Sequence, residues 1–119
     1  MLLRILFVVT ISFYAACSSS KKAMAPTALS DGYEGMTGLD VTAKSDCLTC
    51  HSVSEKGIGP SYISIANKYD SNAINIDKLA KKLINGGSGS WGNIPMTPHS
   101  SMSDETAKSV IKFILSLKK

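Results

Sequence analysis

Apolar residues recur at helical spacing in four segments of the chain, which predicts helices over residues 39–51, 61–70, 76–87 and 103–119. In the last two segments, intervals of three and four residues place the apolar side chains on one face. Asn75 and Ser103 are expected to cap these two helices, because short polar side chains accept hydrogen bonds from the free backbone amides at a helix start. The pattern therefore predicts an all-α fold of about four helices.

One long segment, residues 87–102, breaks this helical pattern. Pro95 and Pro98 exclude a regular helix, and several glycines favour turns. The segment also holds Trp91, which is the single tryptophan of the chain, and Met96. A long irregular loop in a small domain needs a reason to be ordered, so a functional role is expected for it.

The N-terminus has a different pattern, an apolar run over residues 5–16 that follows Arg4. The run is shorter than the about 20 residues that a membrane-spanning helix needs, so residues 1–16 are interpreted as a signal peptide. Small residues followed by Cys17 resemble the bacterial lipoprotein cleavage motif, although Tyr14 stands where an aliphatic residue is usual. Lipidation of Cys17 is predicted, with an ordinary secretory signal or an uncleaved anchor as alternatives. All three place the domain outside the cytoplasm.

Residues 17–38 are rich in Ser, Lys, Gly, Ala and Thr, and they are predicted to be a flexible tether, lipid-anchored through Cys17, that leads to a domain over 39–119. A hydrophobic content of 44% and a charged content of 18% are typical of a globular protein. Without Arg4, 12 lysines face 9 acidic residues, which leaves a net charge of +3. This charge is too small for nucleic-acid binding, and it indicates either a solvated surface or a lysine face that docks acidic partners.

Two cysteines and a histidine form the chain's densest cluster of reactive side chains, Cys47-x-x-Cys50-His51. A structural zinc site needs four suitably spaced ligands, and adjacent Cys50 and His51 do not easily face one metal. A thioredoxin-like redox pair needs a βαβ unit, which a helical chain does not offer. A plain disulfide is compatible with an exported protein, but it leaves His51 unexplained.

C-x-x-C-H is also the attachment pattern of a c-type haem. Each cysteine sulfur forms a thioether with one haem vinyl group, and the following histidine is then placed to bind the iron. If His51 is that ligand, its second ring nitrogen needs an acceptor, which the carbonyl of Pro60 can provide. Met96, between two prolines, is the candidate for the sixth ligand, and a thioether there raises the reduction potential.

The motif, the stretch "GIGP" and the segment "INGGSGSWGNIPMTP" together resemble the small bacterial class I cytochromes c, of the cytochrome c551/c552 group. The resemblance covers residues 39–119. It implies the all-α cytochrome c fold around one haem held by Cys47 and Cys50, with His51 and Met96 as axial ligands. The first and last helices would cross near Phe113.

The resemblance implies further roles around the haem. Pro60 would accept a hydrogen bond from His51, Trp91 would hydrogen-bond a haem propionate, and Lys82 would lie near the propionates. His99 stands where the family typically has asparagine close to the methionine sulfur. It is expected to donate to Met96, to compete as a ligand, or to face solvent as an ordinary loop residue.

The function implied is that of an electron carrier and not of an enzyme. The protein is expected on the periplasmic or cell-surface side of a bacterial membrane, tethered through Cys17 as a monomer. Its expected partners are redox proteins such as membrane oxidases or reductases of a respiratory chain. The alternative is a haem enzyme or gas sensor with a labile sixth site.

Overall fold

The computed structural model describes residues 32–119, which form the α-helices α1 (Gly38–Lys44), α2 (Cys47–Cys50), α3 (Tyr62–Lys68), α4 (Ala73–Asn85) and α5 (Asp104–Leu115). Within these residues there is no strand, and a single isolated β-bridge pairs Gly87 with Met96. The predicted all-α fold is confirmed. None of the helices in the described part of the chain is long and apolar enough to cross a membrane.

The helix predicted over residues 39–51 is divided into α1 and α2 in the structure. α1 ends where the backbone of Ser45 turns to an extended conformation, with ψ at 177°. Ser45 and Asp46 have short polar side chains, which compete with the helical backbone for hydrogen bonds and so favour such breaks. The prediction of one continuous helix was wrong, and the break lets α2 take its own direction.

The folded part of the chain begins before residue 39, the predicted start of the domain. Thr37 and Asp40 form a capping box at the start of α1, and Tyr33 and Met36 pack against the core. Gly38 lies where α1 meets α5: a Cβ there would overlap the Ser109 carbonyl and come within 2.8 Å of the Phe113 Cβ. The two helices therefore cross closely, near Phe113, as the resemblance implies.

The helix predicted over residues 76–87 begins earlier than expected. Asn72, and not Asn75, is the capping residue, and its side-chain oxygen accepts a hydrogen bond from the Asn75 amide at 2.9 Å. α4 ends at Asn85, before Gly86 with a φ of 68°. Ser103 caps α5 as predicted.

The helices share one hydrophobic core, and α5 packs against α1, α3 and α4. α5 provides half of the buried hydrophobic residues of this core. The ten residues are Val41, Tyr62, Ala80, Leu83, Met102, Ala107, Val110, Ile111, Ile114 and Leu115. Burial of an aliphatic side chain of this kind contributes about 1.5–3 kcal/mol relative to exposure. Several of these residues also line the cavity described next, so the core and the site share a wall.

Candidate functional site

A cavity of about 400 Å³ opens between the segment around α2 and the loop that follows α4. This is within the range of cofactor and ligand sites, which run from about 300 to 1,000 Å³. Seven side chains or backbone groups singled out in the sequence line it together, namely those of Cys47, Cys50, His51, Pro60, Lys82, Trp91 and Met96. Cys17 lies outside the described residues.

The two cysteines of α2 both line the cavity. They are three residues apart, so one helical turn places them on the same side. Cys47 is buried and Cys50 is partly buried, and both are free thiols. The Ser45 hydroxyl lies 3.0 Å from the Cys47 sulfur. Two unpaired sulfurs are therefore available for covalent attachment of a group in the cavity.

The His51 ring is held from two sides. Its Nδ1 donates to the carbonyl of Pro60, at 2.7 Å, which leaves Nε2 with a free lone pair that is able to bind a metal. The backbone of Gly59 lies against the ring, and a Cβ at Gly59 would come within 2.6 Å of the His51 Cε1. This contact explains why glycine precedes Pro60.

Met96 lines the cavity from a distant part of the chain. Its backbone pairs with Gly87 through two hydrogen bonds, at 3.0 and 3.1 Å. Pro95 and Pro98 flank it, and the fixed φ of proline restricts the backbone on both sides. Met96 is thus carried by a constrained loop that is anchored to the end of α4.

Two lysines hold the loop between Gly87 and Met96. The Lys68 ammonium lies 4.2 Å from the centre of the Trp91 ring and donates to the Ser90 carbonyl at 2.6 Å. The Lys82 ammonium donates to the Ser88 carbonyl at 3.1 Å. These contacts place Trp91, which is 46% exposed, at the rim of the cavity.

His99 also lines the cavity, but with a partner that the sequence does not suggest. Its Nε2 lies 3.0 Å from an Asp46 carboxylate oxygen. Its Nδ1 is buried and has no hydrogen-bond partner among the described residues, so neither ring nitrogen bonds to Met96. The side chain is 16% exposed, so it is not a solvent-facing loop residue. This hydrogen bond lowers the pKa of Asp46.

The sequence matches the family model for cytochrome c over residues 36–118. The chain belongs to the cytochrome c family. It is 42% identical over 89 residues to cytochrome c-552 of Hydrogenobacter thermophilus, a match that covers 73% of this chain and 90% of that protein. It is 36% identical over 94 residues to cytochrome c-551 of Allochromatium vinosum, which covers 79% of this chain and all of that protein.

Solved structures agree with this assignment. The crystal structure of cytochrome c552 from Nitrosomonas europaea superimposes with a TM-score of 0.63 at 41% sequence identity, and the match covers 67% of this chain and 99% of that one. The predicted resemblance to the c551/c552 group is thereby confirmed, together with one covalent c-type haem at Cys47 and Cys50.

The cavity suits the haem that this cytochrome c carries. Its walls are mainly apolar, two free thiols line it, and the His51 ring has its Nδ1 engaged and its Nε2 available. The described residues contain no cluster of three or more His, Cys, Asp or Glu that could hold a metal ion by itself. The two thiols and the His51 Nε2 therefore fit a haem, whose macrocycle holds the iron.

Sequence reasoning missed Tyr62, whose ring stacks on His51 with a centroid distance of 5.8 Å. Its side chain is 2% exposed and lines the cavity, and burial raises the pKa of its hydroxyl well above the usual value. The sequence did hold a signal for Tyr62, because it directly follows Pro60 and Ser61. A helix that begins there, next to the C-x-x-C-H motif, brings its first side chains close to His51. No local signal pointed to Asp46.

Proposed function

We propose that this cytochrome c is a one-electron carrier with His51 and Met96 as the two axial ligands. The observation that supports this most strongly is the restraint on both donors. His51 is fixed by Pro60 at 2.7 Å, and Met96 is fixed by its backbone pairing with Gly87. Two restrained donors from distant segments that line one cavity suit a site with both axial positions filled by the protein.

A c-type haem supplies an iron that accepts and releases one electron. The chain's contribution is to hold both donors in place during that change, since a donor that moves slows electron transfer. The thioether of Met96 favours the reduced state relative to a second histidine. With both positions filled, no open site is left for a substrate, and for this reason we assign no enzymatic activity.

The rim of the cavity is the proposed contact with redox partners. Trp91 and Lys82 line it, and we assign them to the propionate side of the haem, as the resemblance implies. Lys56 also lines the cavity, so two lysines lie at its wall beside one carboxylate, that of Asp46. Such charge favours acidic partners and mainly raises the rate of association. We propose membrane oxidases or reductases of a respiratory chain as these partners.

The proposed location is the periplasmic or cell-surface side of a bacterial membrane, with a lipid on Cys17. Support comes from the apolar run and the small residues before Cys17. A lipid on Cys17 and the proposed tether would keep a monomeric carrier within reach of membrane partners.

The test of axial ligation is an absorption spectrum of the ferric protein. We expect the weak sulfur-to-iron charge-transfer band in the far red, and we expect Met96→Ala to abolish it. Met102→Leu is the matched control: Met102 is 5% exposed in the core, and its replacement should keep the band.

A wild-type protein without the band would contradict ligation by Met96. Rapid carbon monoxide binding by the ferrous wild type would also contradict it, and would favour a gas sensor or haem enzyme with a labile sixth site.

A further inference from the structure

The carboxylate of Asp46 has a different hydrogen-bond partner from the one that its position at the start of α2 would suggest. Asp46 is the N-cap residue of α2, where aspartate commonly accepts a hydrogen bond from the helix backbone. Here its side chain makes no capping bond. Its Oδ1 instead accepts from the Nε2 of His99, at 3.0 Å and across 53 positions of the sequence.

His99 is held firmly at its backbone. Its amide donates to the Leu83 carbonyl at 3.1 Å, and its carbonyl accepts from the Met102 amide at 2.9 Å. Leu83 belongs to the last turn of α4, where carbonyls lack helical partners. Met102 is a core residue. The imidazole that reaches Asp46 therefore projects from a fixed base.

The hydrogen bond spans a gap between two parts of the site. We call residues 46–51 the attachment segment and residues 87–99 the Met96 loop. The loop is anchored to α4 by the Gly87–Met96 pair and by the His99–Leu83 bond. No backbone hydrogen bond in residues 32–119 joins the loop to the attachment segment.

We propose that the His99–Asp46 hydrogen bond is a clasp that positions the Met96 loop against the attachment segment and keeps Met96 at the axial site. Both residues act as positioning residues, through the loop, and neither binds the iron. The inference rests on the proposed ligation by Met96. Release of Met96 would require the loop to move away from the cavity, and the clasp opposes that movement.

The carboxylate suits this role electrostatically. The hydrogen bond from His99 lowers the pKa of Asp46, so the acceptor stays ionised at neutral pH. A neutral imidazole with its proton on Nε2 satisfies the contact, and it leaves the buried Nδ1 without a proton that would need an acceptor. A hydrogen bond to a charged group is stronger than one between neutral groups.

The decisive experiment compares the ferric holoprotein with its Asp46→Ala variant in increasing denaturant. Asp46 is 71% exposed at its side chain, so the substitution leaves no cavity. We expect the far-red band to disappear at a lower denaturant concentration than in the wild type, while global unfolding by circular dichroism shifts less. The equilibrium constant for Met96 release should rise about two- to tenfold.

Two comparisons make the result specific to the pair. His99→Ala should have a similar effect, and the double variant should add little to either single change, as expected for two partners of one interaction. His99→Gln keeps a side-chain N–H donor and should restore part of the wild-type behaviour. Asp70→Ala is the matched control, because it removes the exposed Asp70–Lys118 ion pair away from the cavity.

The outcomes separate the clasp from the proposed ligation. If the wild type shows the far-red band, and Asp46→Ala loses it at the same denaturant concentration as the wild type, the clasp is overturned and ligation by Met96 stands. Additive effects of the two single substitutions, or a band that only follows global unfolding, would overturn it as well. Absence of the band in the wild type would overturn the ligation itself, and the clasp with it.

Discussion

At the scale of single residues, the site depends on how closely the backbone approaches the His51 ring. Gly59 presses against one side of the ring, and Tyr62 stacks with it. The ring's orientation is completed by the hydrogen bond from Nδ1 to the Pro60 carbonyl. Neighbouring backbone therefore selects the tautomer and the ring plane of the proposed ligand.

Gly59→Ala tests this arrangement. The added Cβ would lie 2.6 Å from the His51 Cε1, so the ring or the backbone must shift. We expect the free energy of unfolding of the holoprotein to fall by about 1–3 kcal/mol. The reduction potential should also change, because the shift weakens the bond to Pro60. Denaturant titration and voltammetry measure the two effects.

Gly35→Ala serves as the control for this change. Gly35 has a φ of 73° and open space around its Cβ position, and it does not line the cavity, so alanine there brings backbone strain without a collision with His51. The reduction potential of this control variant should remain that of the wild type. Equal shifts of the potential in both variants would contradict the role assigned to Gly59.

At the scale of elements, α4 and α5 are joined by exposed charges as well as by the core. The Asp77 carboxylate of α4 lies 2.7 Å from the Lys81 ammonium in the same helix and 3.2 Å from that of Lys108 in α5. Lys108 also pairs with Asp104 at 2.7 Å. These bonds lower the pKa of Asp77 and raise that of Lys108.

The lowered pKa predicts how this link depends on pH. Its contribution is full above the ordinary carboxyl pKa of 3.8 and is lost as the pH falls through the lower pKa of the folded state. Asp77→Asn should therefore be less stable than the wild type near neutral pH, by a small amount since the charges are exposed. The difference should vanish in strong acid.

Free energies of unfolding at several pH values test this prediction. Glu55→Gln is the control, because among the described residues Glu55 has no ion pair at its side chain. A stability difference for Asp77→Asn that persists undiminished in strong acid would show that the carboxylate charge is not its cause.

At the scale of the whole molecule, the haem completes the core. Four aliphatic core residues also line the cavity, namely Leu83, Val110, Ile111 and Ile114. The haem would add its own apolar contacts to this wall, and a domain of this size has only a small core without it.

The double substitution Cys47→Ala/Cys50→Ala should therefore abolish covalent haem attachment and cooperative folding together. We expect circular dichroism to show a reduced helical signal and a broad thermal transition. Ser45→Ala, which removes the hydroxyl beside Cys47 but keeps both sulfurs, should retain haem and a sharp transition. A haem-free double variant that unfolds as sharply as the wild type would refute the haem's place in the core.

The proposed tether belongs to the same scale. Cys17→Ser removes the predicted lipidation site, so the protein should move from the membrane fraction to the soluble fraction of the native host. The haem spectrum should stay unchanged, because the substitution lies outside the domain. Equal partition of both proteins between the fractions would argue against a lipid on Cys17.

Sequence alone was sufficient where structure follows from near neighbours or from a motif. The apolar stripe of α5 and its Ser103 cap obey local rules of helix spacing and backbone hydrogen bonding. The attachment motif at Cys47, Cys50 and His51 is likewise contiguous, and resemblance to a family extended it to Met96. These features depend on residues a few positions apart, so they can be recognised in the chain itself.

Tertiary structure decided what depends on distant residues. The exposed N-cap Asp46 would have been expected to bond its own helix, yet its carboxylate meets His99, 53 positions away. Gly38 is required by the approach of α5, and Tyr62 contacts His51 only because α3 begins beside the motif. Contacts of this kind form when packing brings separate segments together. The residues next to either partner in the sequence therefore do not predict them.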